Sequence, residues 1–127
     1  MTISLPRCST ELFEASVDFI KSRGLRMQTH LLSAKSQVFV GLKRYGGSTV
    51  EFLKRIGCLE DWASFAHSIW LDPAEVRLMA GSAATVVHNP ISNAKLGVGI
   101  APIVELRRAG GKVAIGSDGS SSADGQK

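Results

Sequence analysis

Residues 84–118 read ATVVHNPISNAKLGVGIAPIVELRRAGGKVAIGSD, and the fold is decided there. Ala84 to Val87 is a short run of small and β-branched residues that ends at His88. Such a run, bounded by turn formers, reads as a strand. Asn89 to Val98 carries Pro90 and Gly97 and reads as a loop. Gly99 to Ala109 reads as a helix with Ile103 and Leu106 on its inner face, closed by Gly110-Gly111. Lys112 to Gly116 (KVAIG) is the next strand, and Asp118 lies just past it. Strand, helix, strand in this order is a parallel unit with a right-handed crossover.

The same grammar repeats toward the N-terminus. Ser9 is a candidate N-cap, Phe13, Val17 and Ile20 recur at helical spacing, and Gly24 stops the helix. Leu25 to Thr29 reads as a strand terminating at His30. Residues 31–45 are less regular and read as a long loop or a broken helix. Ser48 with Glu51 forms a capping box, followed by Val50, Leu53 and Ile56 and a stop at Gly57. Ala63 to Ala66 is an apolar run reaching His67. Asp72-Pro73 with Glu75 opens another helix, with Val76 and Met79 inward and Gly81 as the stop. The order is αβαβαβαβ, an α/β fold on a parallel sheet with no linker before residue 119. Residues 1–118 are expected as one structural unit. Residues 119–127, rich in Ser, Gly and Asp, are expected as a loop or disordered tail.

Composition excludes several classes. The 127 residues are 44% hydrophobic and 20% charged, the proportions of one globular domain. No run of about 18 apolar residues exists, so no transmembrane helix is expected. Met1 to Cys8 lacks the basic-then-apolar pattern of a secretion signal, so a cytoplasmic location is expected. Cys8 and Cys58 have neither the number for a disulfide framework nor metal-site spacing. The net charge of +4 invites a nucleic-acid reading. The basic residues do not form a stripe, however: most fall at helix ends, where they complement the helix dipole. Aromatic residues are 6% of the chain and are not interleaved with them as a stacking platform requires. No nucleic-acid partner is expected.

Chemistry concentrates at the strand exits. The four strands end at His30, His67, His88 and, two residues beyond Gly116, Asp118, which uses every histidine in the chain. In parallel α/β folds side chains from several strands converge at that edge of the sheet. Imidazole and carboxylate are good ligands for zinc and similar ions. A single histidine at a strand exit is ordinary, and Asp118-Gly119 alone is an ordinary turn. A candidate ligand at every exit makes a metal site a serious alternative.

Several longer motifs carry a family likeness. His88-Asn89-Pro90-Ile91-Ser92-Asn93-Ala94-Lys95-Leu96-Gly97-Val98-Gly99-Ile100-Ala101-Pro102 resembles the strand-7 wording HNPxSNxKLGxGIAP of the amidohydrolase superfamily. The branch is that of cytosine and guanine deaminases, adenosine-type deaminases and triazine chlorohydrolases. Ile115 to Gly119 is similar to its strand-8 motif, Ala66 to Asp72 to strand 6, and Thr29 to Leu32 to strand 5. The resemblance implies four βα units corresponding to strands 5–8 of a (β/α)8 TIM barrel, a half barrel with an open parallel sheet. It implies a metal-dependent hydrolase that breaks C–N bonds other than peptide bonds, or C–halogen bonds, in nitrogen heterocycles. His30 then matches a metal ligand. Asp118 matches a ligand that also takes a proton from the attacking water. His67 matches a residue that contacts substrate or hydroxide and in some members binds metal. His88, Asn89, Ser92 and Asn93 match a loop that shapes the substrate pocket. The implied cofactor is a divalent metal, zinc or iron.

Two departures from the family pattern stand out. The chain contains no His-x-His, the strand-1 pair that completes the family's ligand set. Ser33 stands where many members have a glutamate that shuttles a proton, and a hydroxyl has no suitable pKa for that work. A complete barrel also needs roughly 250 residues. The chain is therefore expected to be a fragment or truncated member, inactive alone, needing the missing half barrel or self-association. The alternatives are a catalytically inactive remnant or a small-molecule-binding α/β module.

Overall fold

The computed structural model describes residues 5–122. Most of residues 119–127, expected as loop or tail, therefore lies outside the described part; Gly119 to Ser122 forms a turn. A 3-10 turn at Leu5–Arg7 precedes α1 (Thr10–Ser22), β1 (Met27–Leu31), α2 (Ser36–Tyr45) and α3 (Thr49–Arg55). Then come β2 (Ala63–His67), α4 (Pro73–Ala80), β3 (Thr85–His88), α5 (Pro90–Leu96), α6 (Ile103–Arg108) and β4 (Lys112–Ile115). All neighbouring strands are parallel, and their order in the sheet is β1-β2-β3-β4. Sequential order without a reversal is the arc of a barrel. A doubly wound sheet reverses its strand order at a switch point, and this sheet does not.

The local signals act as read at three caps. Ser9 accepts the backbone N–H of Leu12 and starts α1. Ser48 with Glu51, and Asp72 with Glu75, form complete capping boxes, the second with proline in the first turn. Ser48 Oγ also donates to Glu75 Oε1 at 2.6 Å, so the two capping boxes are joined and α3 is tied to α4.

Two expectations are corrected. Of the two readings of residues 31–45, a long loop or a broken helix, the loop falls: Ser36–Tyr45 is a helix, and Lys43 and Arg44 sit in its last turn. Its only buried residue is Gly41, whose missing side chain leaves room for Thr49. Val38 and Tyr45, seven residues apart on one face, pack against the core, but Lys35 supplies no side-chain cap, so the usual start signal is absent. Residues 89–98 contain the helix Pro90–Leu96. Pro90 and Gly97, read as loop formers, are its first-turn proline and its left-handed C-terminal stop at φ 62°. The following helix starts at Ile103 instead of Gly99, because Gly99 takes φ 120°, which no helix accommodates.

The core lies between the sheet and its helices. Met27, Thr29 and Leu31 of β1, Ala63 and Phe65 of β2 and Val86 of β3 are buried on that side. Phe13, Val17 and Ile20 from α1, Phe52 and Leu53 from α3, Met79 from α4 and Leu106 from α6 are buried with them. The ring of Phe52 stacks on Tyr45 with centroids 4.0 Å apart. Alternation sends Gln28 and His30, Ala66, Val87 and Ala114 to the opposite face, which no helix among the described residues covers. Among the described residues no helix is long and apolar enough to cross a membrane.

Candidate active site

The uncovered face holds an open cavity of about 360 Å³ near the C-terminal ends of the strands. Its walls are Gln28 and His30 from β1, Ala66 from β2, Val87 from β3, then Asn89, Gly116, Ser117 and Asp118. His30 reaches it by simple alternation. His67 cannot, because it shares the parity of the core residues Ala63 and Phe65. The backbone supplies the correction: His67 has φ 71° and Ser68 φ 50°. Left-handed conformations in non-glycine residues cost about 1–3 kcal/mol each and concentrate at functional sites. Here they bring the imidazole of His67 over that of His30, with centroids 5.1 Å apart and planes 25° from parallel. Asp118, with φ 62°, turns in just past β4. One ligand atom from each of His30, His67 and Asp118 lies within 4.8 Å of the others.

Neighbouring residues hold this cluster. Ser92 Oγ donates to Asp118 Oδ2 at 2.6 Å. His67 Nδ1 meets Asn93 Oδ1 at 2.8 Å. His67 Nε2 is 3.7 Å from Asp118 Oδ2, too long for a hydrogen bond. Burial alone would push the Asp118 carboxyl up. Hydrogen bonds from Ser92 and the Gly119 backbone, with the two imidazoles nearby, outweigh it and hold the group below the usual carboxylate range. Burial, and next the proximity of His67, push His30 below the ordinary imidazole value, against the pull of Asp118. An ionised carboxylate beside a neutral imidazole is the protonation state a cation needs in its ligands. His30 Nδ1 is buried with no hydrogen-bond partner among the described residues. Two imidazoles and a carboxylate suit zinc or a similar ion, so the donor set fits as a partial one.

The other expected residues divide. Asn89 lines the cavity, 2% exposed, and its Oδ1 has no hydrogen-bond partner among the described residues. Gly116 is required beside it: a Cβ there would sit 2.5 Å from Asn89 Oδ1 and 2.8 Å from Val87 Cγ1. Ser92 and Asn93 are buried against Asp118 and His67 instead of facing the cavity as its lining. His88 belongs neither to the cluster nor to the cavity wall. Burial holds its imidazole below the ordinary value. Ser33 is engaged by Gln37, which accepts the Ser33 N–H at 3.0 Å and donates to its Oγ at 2.9 Å. The sequence reading did not include Gln37, Gln28 or Ser117. Ser33 and Gln37 are four apart, the spacing that brings side chains together in a helical turn, and that was the available signal.

A sequential parallel arc with its polar cluster at the C-terminal mouth is part of a (β/α)8 barrel. The chain belongs to the amidohydrolase family, which it matches over residues 1–125. It is 36% identical over 115 residues to a 5'-deoxyadenosine deaminase of Methanopyrus kandleri, covering 91% of this chain and 27% of that one. Its fold superposes on an adenosine deaminase from Xanthomonas campestris with bound zinc (TM-score 0.86, 30% identity), covering 95% of this chain and 28% of that one. It also superposes on a zinc-complexed atrazine chlorohydrolase from Arthrobacter aurescens (TM-score 0.81, 30% identity), covering 91% and 25% respectively. The chain thus spans about a quarter of the length of these relatives.

Proposed function

We propose that this chain is one half of a metal-dependent hydrolase barrel acting on nitrogen heterocycles, with residues 1–118 as the partial barrel. The observation that carries the reading is the convergence of His30, His67 and Asp118 from three separate strand exits, two of them reached through left-handed backbone. These residues would hold a divalent ion, zinc or iron. When bound, such an ion supplies an acidified water and polarises the carbon under attack. Asp118, kept ionised by its hydrogen bonds, would serve there as the proton acceptor. His67, stacked on His30 and 3.7 Å from Asp118, would hold the ion or hydrogen-bond the nucleophile beside it. Asn89 offers an unpartnered carbonyl oxygen to a donor on the substrate ring. The arc supplies three ligands, and the chain has no His-x-His to add more. Activity then requires a complementary half, and the edges of β1 and β4, unpaired among the described residues, are where its strands would pair.

A second reading is that of a catalytically inactive relative. It is favoured by Ser33, whose hydroxyl is occupied by Gln37 at the position where the family likeness leads one to expect a proton shuttle. Joining the chain to the first half of a related deaminase separates the two. The enzyme reading predicts stoichiometric zinc and deamination of an aminated purine or triazine, abolished by Asp118→Asn. A folded, zinc-loaded barrel without turnover, restored by Ser33→Glu, selects the inactive relative. A folded barrel that binds no zinc overturns the metal site itself.

A further inference from the structure

Ser92 and Asn93 are consecutive, 0% and 3% exposed, and each is bonded to a different member of the cluster. Successive helix residues point about 100° apart. That divergence lets one short helix reach the exit of β2 through Asn93 and the exit of β4 through Ser92. The helix closes its own two ends. Asn93 N–H donates to Asn89 C=O at 2.9 Å, and Val98 N–H donates to Asn93 C=O at 3.2 Å. Its sequence therefore spans two strand ends that are not neighbours in the sheet, since β3 lies between them.

We propose that Ser92 and Asn93 are positioning residues for the metal ligands and not part of the substrate pocket, Asn93 by selecting the tautomer of His67. With Asn93 Oδ1 as the partner at 2.8 Å, and Asn93 Nδ2 buried without a partner among the described residues, the amide oxygen can only accept, and the proposal puts the imidazole proton on Nδ1. The lone pair is then on Nε2, the atom that faces Asp118 at 3.7 Å. A ring with its second nitrogen anchored in this way is pre-set in protonation and orientation for a cation. Ser92 fixes one carboxylate oxygen of Asp118 and so limits rotation of the group that the imidazole faces. The proposal rests on the reading of His67 and Asp118 as ligands.

The test uses the metal-free 127-residue chain labelled with 15N-histidine. Long-range 1H–15N spectra show which His67 nitrogen bears the proton, and zinc binding is measured by competition with a chromophoric chelator. Wild type is expected in the Nδ1–H form. Asn93→Asp, which keeps an acceptor, preserves that form. Asn93→Leu is expected to give a mixture and to weaken zinc binding by roughly 10- to 100-fold. Ser92→Ala is expected to weaken zinc binding while leaving the His67 tautomer unchanged. A wild-type ring in the Nε2–H form that free histidine prefers overturns the assignment, and so does an unaltered tautomer in Asn93→Leu. Zinc binding absent from every variant, also when the chain is joined to the first half of a related deaminase, with the tautomer still responding to Asn93, sinks the metal reading and leaves the positioning of His67 standing.

Discussion

β2 and β4 are apolar strands of the same sheet with opposite surroundings. β2 has a parallel neighbour on each side, and Phe65 at its centre is 0% exposed beneath the helices. β4 has one neighbour, β3, among the described residues, and Ile115 is 82% exposed. Both strands were written for burial, since KVAI is as hydrophobic as ASFAH. Only β2 obtains it within this arc. The stability of the arc therefore resides in β1 to β3 and their helices, while the chemistry at Asp118 hangs from the least supported strand.

The largest effect is expected at the centre of the supported region. Phe65→Ala removes a fully buried ring from between the sheet and its helices. It should cost about 3–5 kcal/mol of unfolding free energy, read from urea denaturation followed by circular dichroism. A loss under 1 kcal/mol would mean that the sheet-to-helix layer does not carry the fold.

Much of this organisation was legible in the residues. Caps at Ser9, Ser48 and Asp72 are local devices, and local hydrogen bonds act wherever the sequence places them. The strands were found to within two residues because their apolar runs are bounded by turn formers. α2 and α5 were less legible, and neither has a side-chain cap to mark its start. One packs through Gly41, and the other buries Ser92 and Asn93, whose contacts with Asp118 and His67 are tertiary. The convergence of His30 with His67 was legible as a coincidence of strand ends only. The turn that achieves it is a left-handed backbone at a histidine, which no composition rule announces.

A smaller effect tests where the supported region meets the site. Gly116→Ala drives a methyl group against Asn89 Oδ1 and Val87 Cγ1. Overpacking of this kind costs about 1–3 kcal/mol. The neighbours belong to β3 and to the turn into α5, so the strain should spread to Ser92 and Asn93. Hydrogen exchange should then rise in residues 89–98 while β1 amides remain as in wild type. Uniform loss of protection across the sheet would show that the two regions unfold as one.

The smallest effect is expected at the unsupported edge, and there the contrast between the strands is sharpest. Ile115→Ser replaces a side chain that this arc leaves in solvent, so the isolated chain should change by no more than about 0.5 kcal/mol. The same substitution in a barrel completed by a second half should behave differently. Covering β4 would bury the position, and loss of a buried aliphatic chain there costs on the order of 2–5 kcal/mol. Paired urea titrations of the two forms measure the difference. Equal, negligible losses in both would mean that β4 is not the edge at which the barrel closes. A large loss already in the isolated chain would mean that copies of the chain cover one another's edges in solution, which sedimentation equilibrium would show as a mass above 13.5 kDa.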